Sequence, residues 1–275
     1  MKSTSSSNKI QRDHAKIYRI YKAVAIILTL ATILLTTVTV CTRANADSRY
    51  VSSSPIAIVL YAVVAAGVLF SLSAAFVLKK SANIFESKTN AVTKAVSFLP
   101  VAGAIICFFH SLLSMSDKSS GATPIIILLT AAFAVLYHLS FSLSFPPALK
   151  LISGYAQMIL CIVVIAQLYL DFSVELNSTA KLLLQFSLVA MMLNTVSDLK
   201  ILIGKPSASQ YMMSKSLLLC LAPASFVLIA MMQISSPSLF SNSSYLIYSV
   251  YCFAESINAA VGLFSSGLST PKSNG

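Results

Sequence analysis

Four residues of the last apolar stretch, Tyr248, Tyr251, Glu255 and Asn258, follow one another at steps of three, four and three. On a helix, that spacing places them along one face. Glu255 sits near the middle of Tyr245–Phe264, a run long enough to cross a bilayer. A carboxyl at that depth costs about 3 kcal/mol on insertion scales, so it turns inward and has a partner or a task. Two chemistries fit. The stripe could face a cavity, with Glu255 binding a proton or a cation and tyrosine hydroxyls completing the shell. Alternatively, Glu255 is a structural carboxyl that donates one hydrogen bond to a neighbouring helix.

Two further polar residues fall at comparable depth in other apolar runs, His138 and Asn194. If their helices adjoin the last one, His138 is the natural partner for Glu255, and a carboxyl–imidazole pair exchanges a proton as one unit. A packing histidine is the plainer alternative. Asp198, with Lys200 nearby, reads as a solvated helix end, and His110 lies toward the opposite face. The candidate substrate- or proton-binding residues are therefore Glu255, His138, Asn194, Asn258 and Tyr251.

The elements that must position them follow from composition. Of 275 residues, 57% are hydrophobic and 10% charged, with a mean hydropathy of +0.83. Soluble domains carry roughly 25% charged residues, so the chain reads as an integral, multi-pass membrane protein with an all-α fold. Eight runs approach the length that spans about 30 Å of hydrocarbon. They are Ala23–Cys41, Pro55–Leu78, Ala95–Met115, Pro124–Phe145, Ala148–Leu170, Leu182–Ile203, Met212–Ile234 and Tyr245–Phe264. Residues 1–22 form a basic, Ser-rich segment, 23–264 the membrane domain, and 265–275 a short tail. Pro146-Pro147 closes the fourth run and Gly204-Lys205-Pro206 the sixth. Ala44-Asn45-Ala46 resembles a signal-peptide cleavage site, but the preceding apolar run exceeds a signal core and favours an uncleaved helix.

The net charge of +11 does not point to nucleic acid, because the basic residues lie almost entirely between the apolar runs. With both termini cytoplasmic, all but four of the 19 Lys/Arg fall on the inner side, the exceptions being Arg43, Arg49, Lys118 and Lys181. That asymmetry is the positive-inside pattern and points to the plasma membrane in an N-in, C-in orientation. Asn177 and Asn242 begin glycosylation sequons in two predicted outer loops, although so short a pattern recurs by chance.

No disulfide, metal site or cofactor is expected. The five cysteines fall in or beside apolar runs without a CxxC pair, and the three histidines lack zinc-ligand spacing. No hydrolase, zinc-protease or phosphate-loop motif is present either, which argues against an enzyme. A spacing of ten recurs as Pro100/His110, Gln157/Gln167 and Pro223/Gln233, suggesting tandem helix hairpins or chance. Only 8 glycines leave few helix breaks of the kind seen in transporters, and without tryptophan the interfacial belt must rely on tyrosine.

The leading expectation is a small-solute transporter or permease, proton-linked through Glu255. Its rival is a non-catalytic assembly, sensor or regulatory subunit whose polar residues lock helices together. The expected partners are the lipid bilayer, a small solute or proton, and a second copy or another membrane protein.

Overall fold

The computed structural model describes residues 3–43, 55–79, 85–87, 91–116, 122–143, 145–172, 178–235 and 244–268. Each apolar run is helical, because hydrocarbon offers no partner for backbone N–H and C=O groups and a crossing segment must pair them internally. The helices are α1 (Ser3–Arg43), α2 (Pro55–Val77), α3 (Ala91–Val96), α4 (Phe98–Ser114), α5 (Thr123–Ser142), α6 (Pro147–Leu170), α7 (Thr179–Leu202), α8 (Ala208–Ser235) and α9 (Ser244–Ser265). Two short strands, β1 (Phe85–Ser87) and β2 (Ser266–Leu268), pair antiparallel. Eight helical spans are long and apolar enough to cross a membrane, α3 and α4 together making one of them. The all-α, eight-span bundle expected from composition is present.

Threonines in α1 show how a β-prone sequence becomes a helix in this setting. Thr29, Thr36, Thr37 and Thr39 each return their hydroxyl to the carbonyl four residues earlier, at 2.6–2.9 Å. The hydroxyls are thereby satisfied without water.

Helices α4 to α9 close into a ring, each packing on the next and α9 returning to α4. α1 and α2 pack on each other and on α8. The most hydrophobic window of α8 is 67% buried and that of α2 only 22%, which puts α8 at the hub and α2 at the lipid margin. The main core joins the ring helices through Leu160, Leu184, Met191, Leu218, Tyr248 and Tyr251. A second cluster gathers Tyr18, Tyr21, Leu78, Met212 and Leu263 at one end of the bundle.

That second cluster includes the N-terminal segment. Helix α1 runs through residues 22 and 23 without a break, and its membrane-length portion starts at Ala15. Tyr18 and Tyr21 are buried. Lys22 donates to the carbonyls of Phe264 (3.4 Å) and Ser266 (2.5 Å), and Tyr18 bonds the Ser266 hydroxyl at 2.7 Å. The residues just before the first apolar run therefore clasp the end of α9 and the start of β2, where Lys22 meets a carbonyl of the last helical turn.

Other boundaries shift for local reasons. The third span breaks at Ser97, whose hydroxyl bonds the Lys94 carbonyl and Ser142. The Pro146-Pro147 pair starts α6 rather than ending α5, which stops at Ser142; proline suits a helix's first turn. Lys181, expected in an outer loop, lies in the first turn of α7, buried, and donates to the Asp171 carbonyl at 2.6 Å. Residues 44–46, Asn177, Asn242 and the tail beyond 268 lie outside the described residues, as do the readings made on them.

Candidate functional site

The face of α9 that carries the polar stripe points into the ring and meets α5, α6 and α7. Tyr248 donates to Gln167 on α6 at 3.1 Å. One turn further, Tyr251 donates to Gln157 on α6 at 2.5 Å, and its oxygen lies 2.9 Å from Nε2 of His138 on α5. Another turn on, Oε1 of Glu255 accepts from the Asn194 amide on α7 at 2.8 Å, and Oε2 lies 3.6 Å from Nδ1 of His138. Asn258 follows beside the same carboxyl. The structure thus brings together all five sequence candidates. His138, Asn194, Tyr251 and Glu255 are at most 1% exposed, and Asn258 is partly exposed.

Close approach of α4 makes this packing possible. A Cβ on Gly103 would stand 2.8 Å from Cδ2 of Tyr251 and 3.1 Å from its Cα. Any larger side chain at Gly103 would push α4 away from α9 or turn the Tyr251 ring.

With the Gln157 amide oriented so that Oε1 faces Tyr251, the hydrogen bonds imply one order of protons along the network. Tyr251 has one hydroxyl proton, and Gln157 Oε1 takes it. The tyrosine oxygen must then accept from His138, so Nε2 carries a proton. In a neutral imidazole, Nδ1 is consequently a bare acceptor, and it faces Glu255 Oε2. Neither atom has another partner among the described residues. A carboxylate against a bare ring nitrogen would set two lone pairs face to face. One added proton, on either group, turns that opposition into attraction, so the geometry suits a pair that shares one proton.

Two more polar atoms of the network, Asn194 Oδ1 and Gln157 Nε2, also lack a protein partner. Such atoms each cost about 1–3 kcal/mol when buried unpaired. A purely structural lock would be expected to pair them.

A cavity of about 280 Å³ opens beside this network, at the end of the bundle where α5, α7 and α9 finish and α4, α6 and α8 begin. Tyr137 and Asn258 line it, next in sequence or one turn from His138 and Glu255 respectively. It stops short of Glu255 itself, which is 1% exposed. Its wall carries an ion pair that sequence reasoning missed. Lys215 on α8 reaches both carboxylate oxygens of Asp198 on α7, at 3.0 and 3.1 Å. Asp198 is therefore not a solvated helix end beside Lys200, and Lys200 bonds Gln210 instead. The signal for the pair was present, since Asp198 and Lys215 flank Pro206 at nearly equal distances in a helical hairpin. His110, toward the opposite face, bonds Ser244 at 2.8 Å.

Four of the five cysteines, Cys107, Cys161, Cys220 and Cys252, are buried free thiols, while Cys41 is exposed rather than buried.

The eight apolar spans and the inward-facing polar network define a multi-pass membrane protein. No family model matches the chain, and no curated protein or solved structure is significantly similar to it.

Proposed function

We propose that this protein is a small-solute transporter in which movement of the solute is linked to a proton held by His138 and Glu255. The observation that carries this reading is the set of buried polar atoms around that pair without a partner among the described residues, next to an open cavity. Tyr137 and Asn258 stand between cavity and pair. A small change in the packing of α5 against α9 would connect the two, as alternating access requires. With both termini inside a plasma membrane, the orientation that the charge asymmetry favours, the solute would enter from the lysine-rich, cytoplasmic end.

The test is solute flux in proteoliposomes under an imposed proton gradient. Uptake should rise with an inward proton gradient in the wild type and lose that dependence in Glu255→Gln, which keeps the side chain's size but cannot exchange a proton. Uptake indifferent to the gradient in both proteins would remove the proton link.

A second reading has its own support. Glu255 is almost fully buried and bonded to Asn194, as in a non-catalytic assembly or sensor subunit where the network only locks helices. On that reading Glu255→Gln changes thermal stability alone, and no solute shifts the unfolding midpoint of either protein.

A further inference from the structure

The cavity beside the polar network has its own charge and wall chemistry, and these limit what it can hold. Two lysines and one carboxylate line it: Lys150, Lys215 and Asp198. Asp198 grips Lys215 through both oxygens, so those two charges cancel locally. Lys150 remains. It is half-buried, and no described carboxylate is bonded to it. It lies in the first turn of α6, which begins at Pro147, and its ammonium is the uncompensated charge of the wall.

The remaining wall completes the description. Tyr137, Tyr211 and Ser265 line the cavity beside the apolar residues Phe141, Leu199 and Leu202. A single uncompensated cation suits one negative charge better than two. The apolar wall suits a carbon skeleton better than an inorganic oxyanion.

We infer that the cavity is a binding site for a small organic monoanion, a carboxylate held by Lys150. Its carbon skeleton lies against Phe141, Leu199 and Leu202. This inference rests on the transport reading above and supplies its substrate class. One carboxylate moving with one proton carries no net charge, so the cargo would cross without working against the membrane potential.

The experiment uses the purified full-length chain. It has no tryptophan but four buried thiols, so a thiol-reactive fluorescent dye reports unfolding. Acetate, lactate and pyruvate are compared with choline as the cation and glucose as the neutral solute, at constant ionic strength. At least one carboxylate should raise the midpoint saturably. Lys150→Gln should weaken its binding about tenfold, the loss expected of one charge-assisted contact. Lys150→Arg, which keeps the charge, should stay within about threefold of wild type. Glu255→Gln should still bind the carboxylate while losing gradient-driven uptake, which separates the site from the proton link. Stabilisation by choline or glucose instead of the carboxylates overturns the substrate class and leaves transport standing. Carboxylate binding unchanged in Lys150→Gln overturns the assigned site. No response to any of these solutes, with no carboxylate uptake in liposomes, overturns the inference and the transport reading together.

Discussion

Removing the Tyr251 hydroxyl tests the hydrogen-bond chain at its junction. In Tyr251→Phe the ring still fills its place beside Gly103, so no cavity of consequence forms. Two buried groups lose their partner at once: the Gln157 carbonyl, which accepted at 2.5 Å, and His138 Nε2, which donated at 2.9 Å. In a soluble core each orphan would cost about 1–3 kcal/mol. Inside a bilayer such bonds average about 0.6 kcal/mol and reach about 1.7, because the unfolded chain also finds partners there. Two bonds between fully buried residues should sit in the upper part of that range, so the expected loss is about 1–3 kcal/mol. For a chain of about this size, that corresponds to a fall of about 2–10 °C in unfolding midpoint. Tyr248→Phe is the internal standard, since it breaks one bond, to Gln167 at 3.1 Å, and should cost about half as much. The thiol-dye assay reads both, in a Cys41→Ser background that removes the exposed cysteine. The reasoning is refuted if Tyr251→Phe is no more damaging than Tyr248→Phe, for then Tyr251 does not bridge α5 and α6.

Two further outcomes follow from particular contacts. Asp198→Asn and Lys215→Met each strand one charge of a largely buried pair and should each cost about 2–4 kcal/mol; the double variant should recover part of that loss, and unfolding midpoints of the four proteins close the cycle. A maleimide reagent should label one thiol per folded chain, at Cys41, and all five after denaturation. Added outside intact cells in membrane-impermeant form, it tests the orientation: an N-terminus inside the cell would put Cys41 within its reach, and protection of Cys41 would refute that orientation.

The spans were legible because crossing hydrocarbon imposes a length and an apolar composition that each segment satisfies alone. Where the sequence misled, the deciding partner lay elsewhere in the chain. Nothing local to Lys22 announces that it caps the end of α9, and nothing local to Lys181 announces the Asp171 carbonyl. Pro146-Pro147 breaks one helix and starts the next, and only the Ser142 end point of α5 shows which role dominates.

The candidate site divides in the same way. Helical spacing alone aligned Tyr248, Tyr251, Glu255 and Asn258, since one period governs them all. Pairing Glu255 with His138 and Asn194 required knowing which helices adjoin α9, and that order is a property of the closed ring. Gln157 and Gln167 were visible as a recurring spacing, yet their partnership with the tyrosines was not. They stand about 15 Å apart along α6, whereas Tyr248 and Tyr251 are only about 4.5 Å apart along α9. No backbone register joins such unequal intervals. The tyrosines' long side chains diverge to make up the difference. The Gln157 amide was therefore invisible as the group that takes the Tyr251 proton. In that amide orientation the bond passes through Tyr251 to the histidine and leaves Nδ1 facing Glu255. The arrangement of the site belongs to four helices together and to none of the segments read singly.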